Sequence, residues 1–493
     1  MAKKYILSID QSTQGTKCLI LDKEGHLIHR QDIPHRQIIN ESGWVSHDPM
    51  EIYHNLLQCV RSAVHYSAID PSAIVCVGLS NQRETSVIWD KKTGEPVCDA
   101  IVWQCSRARD ICDRVVAAGF GPLIQEHTGI PASAFFPAAK YAWILENVDG
   151  ARGLADRHAL CFGTIDTWLV YKLTGGASYK TDYSNASRTQ LFNIVDLCWD
   201  KEICAAFGLD AADLPEVCDS DALYGATDFE GILPHKIPIC GVIGDSQGAL
   251  FGQGCLREGM TKATYGSGTS VVMNAGDSPV FSKHGVVTSI AWSRAGKPQY
   301  IMEGNIIYTG SVITWLKEIG LISSASETQA LAEQAHKDDA TYLIPAFTGL
   351  GAPYWDSNCT ASIIGMTRLT GKPELARAAL DCIAYQIRDI LDSMEKDSGV
   401  GIQQLYVDGG ATKNDYLMQF QSDILDRSVA VSNLEELSGI GAAYIAGISH
   451  GILDESVFQN VDRTVFDPAM PPEMRQVKYD GWQHAVRSVL NHP

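Results

Sequence analysis

The sequence predicts an α/β protein of two related halves, each a sheet covered by helices. Three observations carry that prediction. A strand, a Gly/Ser/Thr-rich turn and a second strand occur twice, about half a chain apart. Strand-like and helix-like stretches alternate through both halves, the pattern of sheets with helical cover. A third glycine turn, Val407-Asp-Gly-Gly-Ala411, follows another apolar strand. With 493 residues the chain can build two large domains, each with its own core.

The first copy of the repeat is Tyr5–Asp10, the turn Gln11–Thr16, then Cys18–Asp22. Lys23-Glu-Gly25 turns the chain into a strand over His26–Arg30. A helix starts at Asp48: the aspartate caps it, Pro49 fits its first turn, and Glu51 completes a capping box. Met50, Tyr53, Leu57, Val60 and Val64 fall on one helical face. Ile74–Leu79 reads as a buried strand ending in Ser80-Asn-Gln-Arg-Glu-Thr85. Ser86–Trp89 and Ala100–Trp103 read as a hairpin pair around Lys92-Thr-Gly-Glu-Pro96. Lys236–Ile243 is a strand running into Gly244-Asp-Ser-Gln247 and a helix. The boundary is expected near residues 248–258, dividing the chain into 1–250 and 251–493. The second half opens with Met260–Tyr265, the turn Gly266-Ser-Gly-Thr269, and Ser270–Asn274. A strand is expected at Val286–Trp292, and helices over 311–318, 373–396, 415–425 and 440–447.

Composition narrows the function. The net charge of -19 repels nucleic acid and anionic membranes, so neither is an expected partner. No apolar run approaches the roughly 18 residues that span a bilayer. The 14 cysteines are scattered, without CxxC or metal-ligand spacing. Met1-Ala-Lys-Lys-Tyr-Ile lacks a signal-peptide pattern, and the expectation is a cytoplasmic protein with reduced thiols.

Small residues let backbone approach a ligand, and turn N–H groups and hydroxyls suit phosphate oxygens. Two such turns in two similar halves imply one polyphosphate between them, the layout of a two-domain ATP-handling enzyme. A P-loop is absent. Its nearest decoy, Gly365-Met-Thr-Arg-Leu-Thr-Gly-Lys-Pro373, has one residue too many and Pro where Ser or Thr belongs.

Ligands of α/β sheets sit at the carboxyl ends of strands. Asp10, Arg83-Glu84, Asp245 and the Gly409-Gly410 turn occupy such ends. Asp10 suits a carboxylate orienting hydrated Mg²⁺ beside phosphates, or a turn-capping aspartate. Asp245, between a strand and a helix, suits a proton acceptor for a substrate hydroxyl, or a helix N-cap. Arg83-Glu84 suits a grip on neighbouring hydroxyls of a polyol, or a surface ion pair; Trp103 lies near in sequence.

These residues stand in longer stretches: Gly43-Trp-Val-Ser-His-Asp-Pro-Met-Glu51, Ser80–Thr85, Ile101-Val-Trp-Gln-Cys105, Thr164-Ile-Asp-Thr-Trp168, Thr181–Arg188, Pro345–Asp356 and Val407–Ala411. In these the chain resembles glycerol kinases and the wider FGGY carbohydrate kinases over nearly its whole length. The resemblance implies two actin-like ATPase domains with ribonuclease H-like cores flanking a central cleft, ATP and Mg²⁺, and transfer of phosphate to a small polyol. A homo-oligomer, dimer or tetramer, is also expected. By motif it implies Asp10 at the Mg²⁺ through water. Thr13, Gln14, Gly15 and Lys17 would contact phosphates, with Lys17 where the family often has arginine. Ser267 and Gly310 would face the nucleotide. Gly410, Ala411 and Asn414 would lie near adenosine. Arg83, Glu84, Trp103, Phe135, Ser246 and Ser270 would line the acceptor pocket, with Asp245 as base.

Three pocket positions depart from the glycerol kinase pattern. Phe135 stands where tyrosine is usual, Ser246 where glutamine is usual, and Ser270 where phenylalanine is usual. They fit either drift in a glycerol enzyme or a longer, more oxygenated acceptor: a tetritol, pentitol, erythrulose or pentulose. The Gly/Arg loop that binds fructose bisphosphate in some relatives is not recognisable in Glu230–Lys236. A nucleotide-driven conformational switch is the competing class, and it needs no polyol pocket.

Overall fold

The computed structural model describes residues 3–490. Two mixed sheets dominate. The first runs Gly225–Thr227, Ile237–Gly244, Ile74–Asn81, Tyr5–Gln11, Gly15–Asp22, Leu27–Pro34. The second runs Val287–Arg294, Lys297–Ile306, Thr269–Gly276, Thr261–Tyr265, Gln404–Gly409, Ser428–Ser432, Arg463–Phe466.

Both sheets share one wiring. An antiparallel hairpin opens each half, Tyr5–Gln11 with Gly15–Asp22 and Thr261–Tyr265 with Thr269–Gly276. A further antiparallel strand joins the second hairpin arm, Leu27–Pro34 in one half and Lys297–Ile306 in the other. Two parallel strands then extend from the first arm, Ile74–Asn81 and Ile237–Gly244 against Gln404–Gly409 and Ser428–Ser432. The repeated glycine turn is thus the trace of a repeated fold, the two-domain actin-like arrangement.

The halves exchange helices. Asp245–Gly252 follows the last parallel strand of the first half, and Leu437–Ser449 follows its counterpart in the second. Leu437–Ser449 lies on the first sheet, where Ser8 Oγ donates to Gly439 O at 2.6 Å. The two helices touch each other through glycine. A Cβ on Gly441 would stand 1.9 Å from Gly248 O, and one on Gly252 2.5 Å from Leu437 O. Any side chain at Gly441 would therefore force the helices apart.

The structure departs from the sequence reading in several places. Asp48 does cap the first helix, accepting from Met50 N at 2.8 Å, but Glu51 turns away to take Arg36 N and Nε. The helix Pro49–Tyr66 buries Ile52, Tyr53, Leu56, Cys59, Val60 and Ala63, whereas Met50, Leu57 and Val64 are half-buried. Small Cys59 lets it settle on the sheet, its thiol donating to Gln31 O at 3.2 Å. The Ser86–Trp89 and Ala100–Trp103 segments share a single isolated bridge, Ser86 with Ile101, while Trp89 bridges Pro96 in the loop between them. Their ladders lie elsewhere: Val87–Asp90 pairs Leu160–Gly163, and Ala100–Ile101 pairs Val45–His47. Finally, Lys297–Ile306 is a strand that sequence reasoning passed over.

Candidate active site

The carboxyl ends of the parallel strands converge where the halves meet. Tyr5–Gln11 brings Asp10, Ile74–Asn81 leads to Gln82–Thr85, and Ile237–Gly244 delivers Asp245. Thr261–Tyr265 leads into Gly266–Gly268, and Gln404–Gly409 into Gly410 and Ala411.

The centre is a charged cluster built from both halves. Arg83 is 7 % exposed and bonds Glu303 with both terminal nitrogens, Nη2 at 2.7 Å and Nη1 at 2.9 Å. Its Nε lies 3.1 Å from Asp245 Oδ1, off hydrogen-bond alignment. Arg188 donates from Nε to Glu84 Oε1 at 2.5 Å, and its Nη1 lies 3.1 Å from Glu303 Oε2. The fork-to-fork pair of Arg83 with Glu303 fixes direction as well as charge. Glu303 is fully buried, and Arg83 and Arg188 hold its carboxyl well below the usual range despite the desolvation. Glu84 adopts φ +61°, a left-handed conformation unusual for a long side chain.

Asp245 is the first residue of its helix; Gly244 takes the N-cap position. The surface ion pair and N-cap alternatives therefore do not describe Arg83 or Asp245. Burial pushes the Asp245 carboxyl up to about 6, with Glu84 and Asp10 adding to the rise and Arg83 opposing it. Its side chain keeps 35 % of its surface open, so water in the cleft tempers that rise.

Aromatic rings and hydroxyls form the walls. Trp103 and Phe135 pack with ring centroids 5.4 Å apart. Ser246 Oγ accepts from Arg83 Nη2 at 3.1 Å and donates to Ser270 Oγ at 3.2 Å, which donates to Glu303 Oε1 at 3.1 Å. The two serines thus lie together, already tied to the charged cluster.

The first turn touches this pocket directly: Trp103 Nε1 donates to Thr13 Oγ1 at 2.9 Å. Gln14 is exposed at the turn's tip, and Gly15 packs so tightly that a Cβ would stand 2.6 Å from Ile33 O. Lys17 is engaged: its ammonium bonds Glu436 across the halves and lies 3.6 Å from Asp10 Oδ2. The second turn is stitched to the helix Gly310–Glu318, since Gly310 N donates to Gly266 O at 3.0 Å and Ser311 N to Ser267 O at 3.1 Å. Ser267 is exposed. Gly410 has open space where a Cβ would stand. Asn414 caps the helix Asp415–Leu425, accepting from Leu417 N at 3.0 Å.

Asp10 is nearly buried, with Ser80 Oγ donating to its Oδ1 at 2.5 Å. Among the described residues no group of three or more His, Cys, Asp and Glu could cage a metal. The single Asp10 carboxylate fits Mg²⁺, which keeps several waters and binds through one or two carboxylates plus substrate phosphates. A cavity of about 450 Å³ lined by Arg152, His158, Lys201 and Asp213 lies on the first half, away from all these residues.

Sequence reasoning missed Glu303, gave Arg188 no role, and overlooked Lys140, a fully buried lysine beneath the pocket. Glu303 had a signal: an acid amid Tyr-Ile-Met before Gly-Asn-Ile, in a stretch otherwise fit for a buried strand.

A two-domain actin-like fold with a glycine turn in each half, and a half-open acid beside clustered hydroxyls and aromatic rings, has the make-up of an ATP-dependent phosphotransferase. Sequence comparison makes the class specific. Residues 5–252 match the N-terminal domain of the FGGY family of carbohydrate kinases, and residues 262–450 its C-terminal domain. The chain belongs to that family, whose enzymes use ATP with Mg²⁺. It is 44 % identical over 490 residues to Glycerol kinase 1 of Thermotoga maritima, covering 99 % of each chain. It is 45 % identical over 492 residues to the glycerol kinase of Francisella philomiragia, again covering 99 % of each. Among solved structures it matches Plasmodium falciparum glycerol kinase with ADP at a TM-score of 0.93, with 36 % identity and coverage of 100 % and 99 %. No helix among the described residues is long and apolar enough to cross a membrane.

Proposed function

We propose that this kinase transfers the γ-phosphate of ATP to a hydroxyl of glycerol or a closely related polyol, held between Arg83, Glu84, Asp245 and the Trp103–Phe135 wall. The observation that carries the reading is the charged cluster: Arg83 and Glu84 border the pocket, each with its charge already balanced, while Asp245 alone opens to the cleft. A pure conformational switch would have no use for such a pocket. The relatives' glycerol kinase names support the acceptor.

Chemically, phosphoryl transfer needs an in-line hydroxyl, neutralised phosphate charge and little water. Asp245 accepts the hydroxyl proton as the oxygen attacks. Arg83 beside it keeps the carboxylate oriented. Thr13 from one half and the Ser267 turn from the other aim at the phosphates. Gly410, Ala411 and Asn414 line the place for adenosine. Mg²⁺, held through water by Asp10, would offset phosphate charge.

One observation favours a longer acceptor as a second reading. Ser246 and Ser270 each commit their proton within the cluster, and each keeps one unused lone pair. A tetritol, pentitol or ketopentose has a further hydroxyl to donate there. A site that bonds an extra hydroxyl discriminates strongly, whereas a methylene's worth of space gives about 1–3 kcal/mol. The test is ADP release across glycerol, tetritols, pentitols and ketopentoses, for wild type and Ser270→Phe. Strong preference for glycerol in both proteins supports the first reading. Wild-type preference for a longer acceptor, shifted toward glycerol by Ser270→Phe, supports the second. No ADP release with any acceptor would refute both.

A further inference from the structure

Lys140 lies in the first turn of the helix Pro137–Asn147 and has no exposed surface. Its ammonium donates to three backbone carbonyls: Glu84 O at 3.3 Å, Trp103 O at 3.3 Å, and Phe135 O. An ammonium has three donors, so all are used. Its three acceptors belong to three separate segments of chain, and each segment supplies one wall of the acceptor pocket. No carboxylate lies within ion-pair distance of it among the described residues. A buried ammonium without a counter-ion is costly, and an apolar side chain of the same length would fill the space more cheaply.

The carbonyl it takes from Glu84 matters most. That residue holds φ +61°, a conformation that persists only when its surroundings over-determine it. Lys140 holds the backbone end of Glu84 and Arg188 the carboxylate end.

We propose that Lys140 is the positioning residue of the acceptor pocket, one buried ammonium that fixes Glu84, Trp103 and Phe135 relative to one another. The proposal rests on the acceptor reading above. It adds that the pocket's shape depends on a proton. Burial lowers the Lys140 ammonium to about 7; the facing Glu84 carboxylate and Cys105 thiol oppose the fall, and Arg107 adds to it. Arg188 offsets some of the Glu84 charge. Deprotonation leaves Lys140 with two donors for three carbonyls, so the pocket loosens as pH rises through that value.

The experiment measures KM for the preferred polyol and for ATP from pH 6 to 9, in wild type, Lys140→Met and Lys140→Arg, with thermal denaturation of each. A misplacement on the order of 1 Å at a reacting centre costs up to about 100-fold. The expected results are a wild-type acceptor KM that climbs above pH 7 while KM for ATP stays level. Lys140→Met should have an acceptor KM raised about 10–100-fold at every pH. Lys140→Arg, charged throughout, should lose the climb. If Lys140→Met does not fold, the wild-type and arginine profiles still decide. Equal rises in both KM values, or variants that keep the wild-type acceptor KM and pH profile, would overturn the role of Lys140 alone. A wild type that phosphorylates no polyol would overturn the acceptor reading and this role with it.

Discussion

Asp245→Asn isolates the proposed base with little disturbance of anything else. The amide keeps the shape of the carboxylate and loses its charge. Arg83 would then lack one of its anions, yet its two-point bond to Glu303 remains, so the cluster should hold. Loss of a positioned general base lowers turnover about 10²–10⁴-fold. The pH dependence gives an independent measure. The folded carboxyl titrates above its ordinary 3.8, toward about 6, and only the ionised form accepts a proton. Turnover should therefore fall as pH drops through that region, with the inflection pulled below 6 to the extent that cleft water reaches the side chain. The stability sign runs the other way. A raised folded pKa makes the protonated form the better-tolerated one, so stability is lost as pH rises from about 3.8 to about 6, and above that the neutral amide should match or slightly exceed wild type in Tm. A coupled ADP-release assay from pH 5 to 8, with thermal denaturation alongside, reads all three quantities. A folded variant with near-normal turnover, or wild-type turnover that is flat between pH 5 and 7, would refute the base assignment.

Two further outcomes follow from packing. Glu303→Gln leaves Arg83 and Arg188 facing a neutral partner in a fully buried position, and breaking such a pair costs about 3–5 kcal/mol, measurable by urea denaturation. The carboxyl of Glu303 is depressed in the fold, so its contribution is present at neutral pH and fades as pH falls below 4.5; the variant should lie closest to wild type in acid, and an equal gap at all pH values would contradict the assignment. Gly441→Ala must push apart a pair of helices whose backbones already touch, at a cost of about 1–3 kcal/mol; an unchanged Tm would show that the contact is looser than described.

Much of this is legible in the sequence. The paired turns announce paired sheets because each turn needs small residues at the same point of the same wiring. Asp10, Arg83, Glu84 and Asp245 stand out because charge at the end of an apolar strand is conspicuous. Glu303 and Lys140 hid for a complementary reason. Their worth comes from partners at distant chain positions, Glu303 with Arg83 and Lys140 with Phe135, Glu84 and Trp103, and no local period records that. The amphipathic face of Pro49–Tyr66 was misplaced because Cys59 and Ala63 read as weak apolar signals, although their small size is what lets the helix settle. The bond between Ser246 and Ser270 likewise joins residues on a helix and a strand of opposite halves.

The crossed helices have a mechanical consequence. Because each half lends its helix to the other, the halves cannot slide or separate as rigid bodies without dismantling a core. Their permitted motion is rotation about the glycine-lined crossing. Points near that axis barely travel. Asp245 begins one of the two helices, and Asp10 packs against the other, where a Cβ on Gly439 would come within 3.2 Å of its own Cβ. On the proposed function, Asp10 and Asp245 would therefore stay nearly fixed while the second half turned about them.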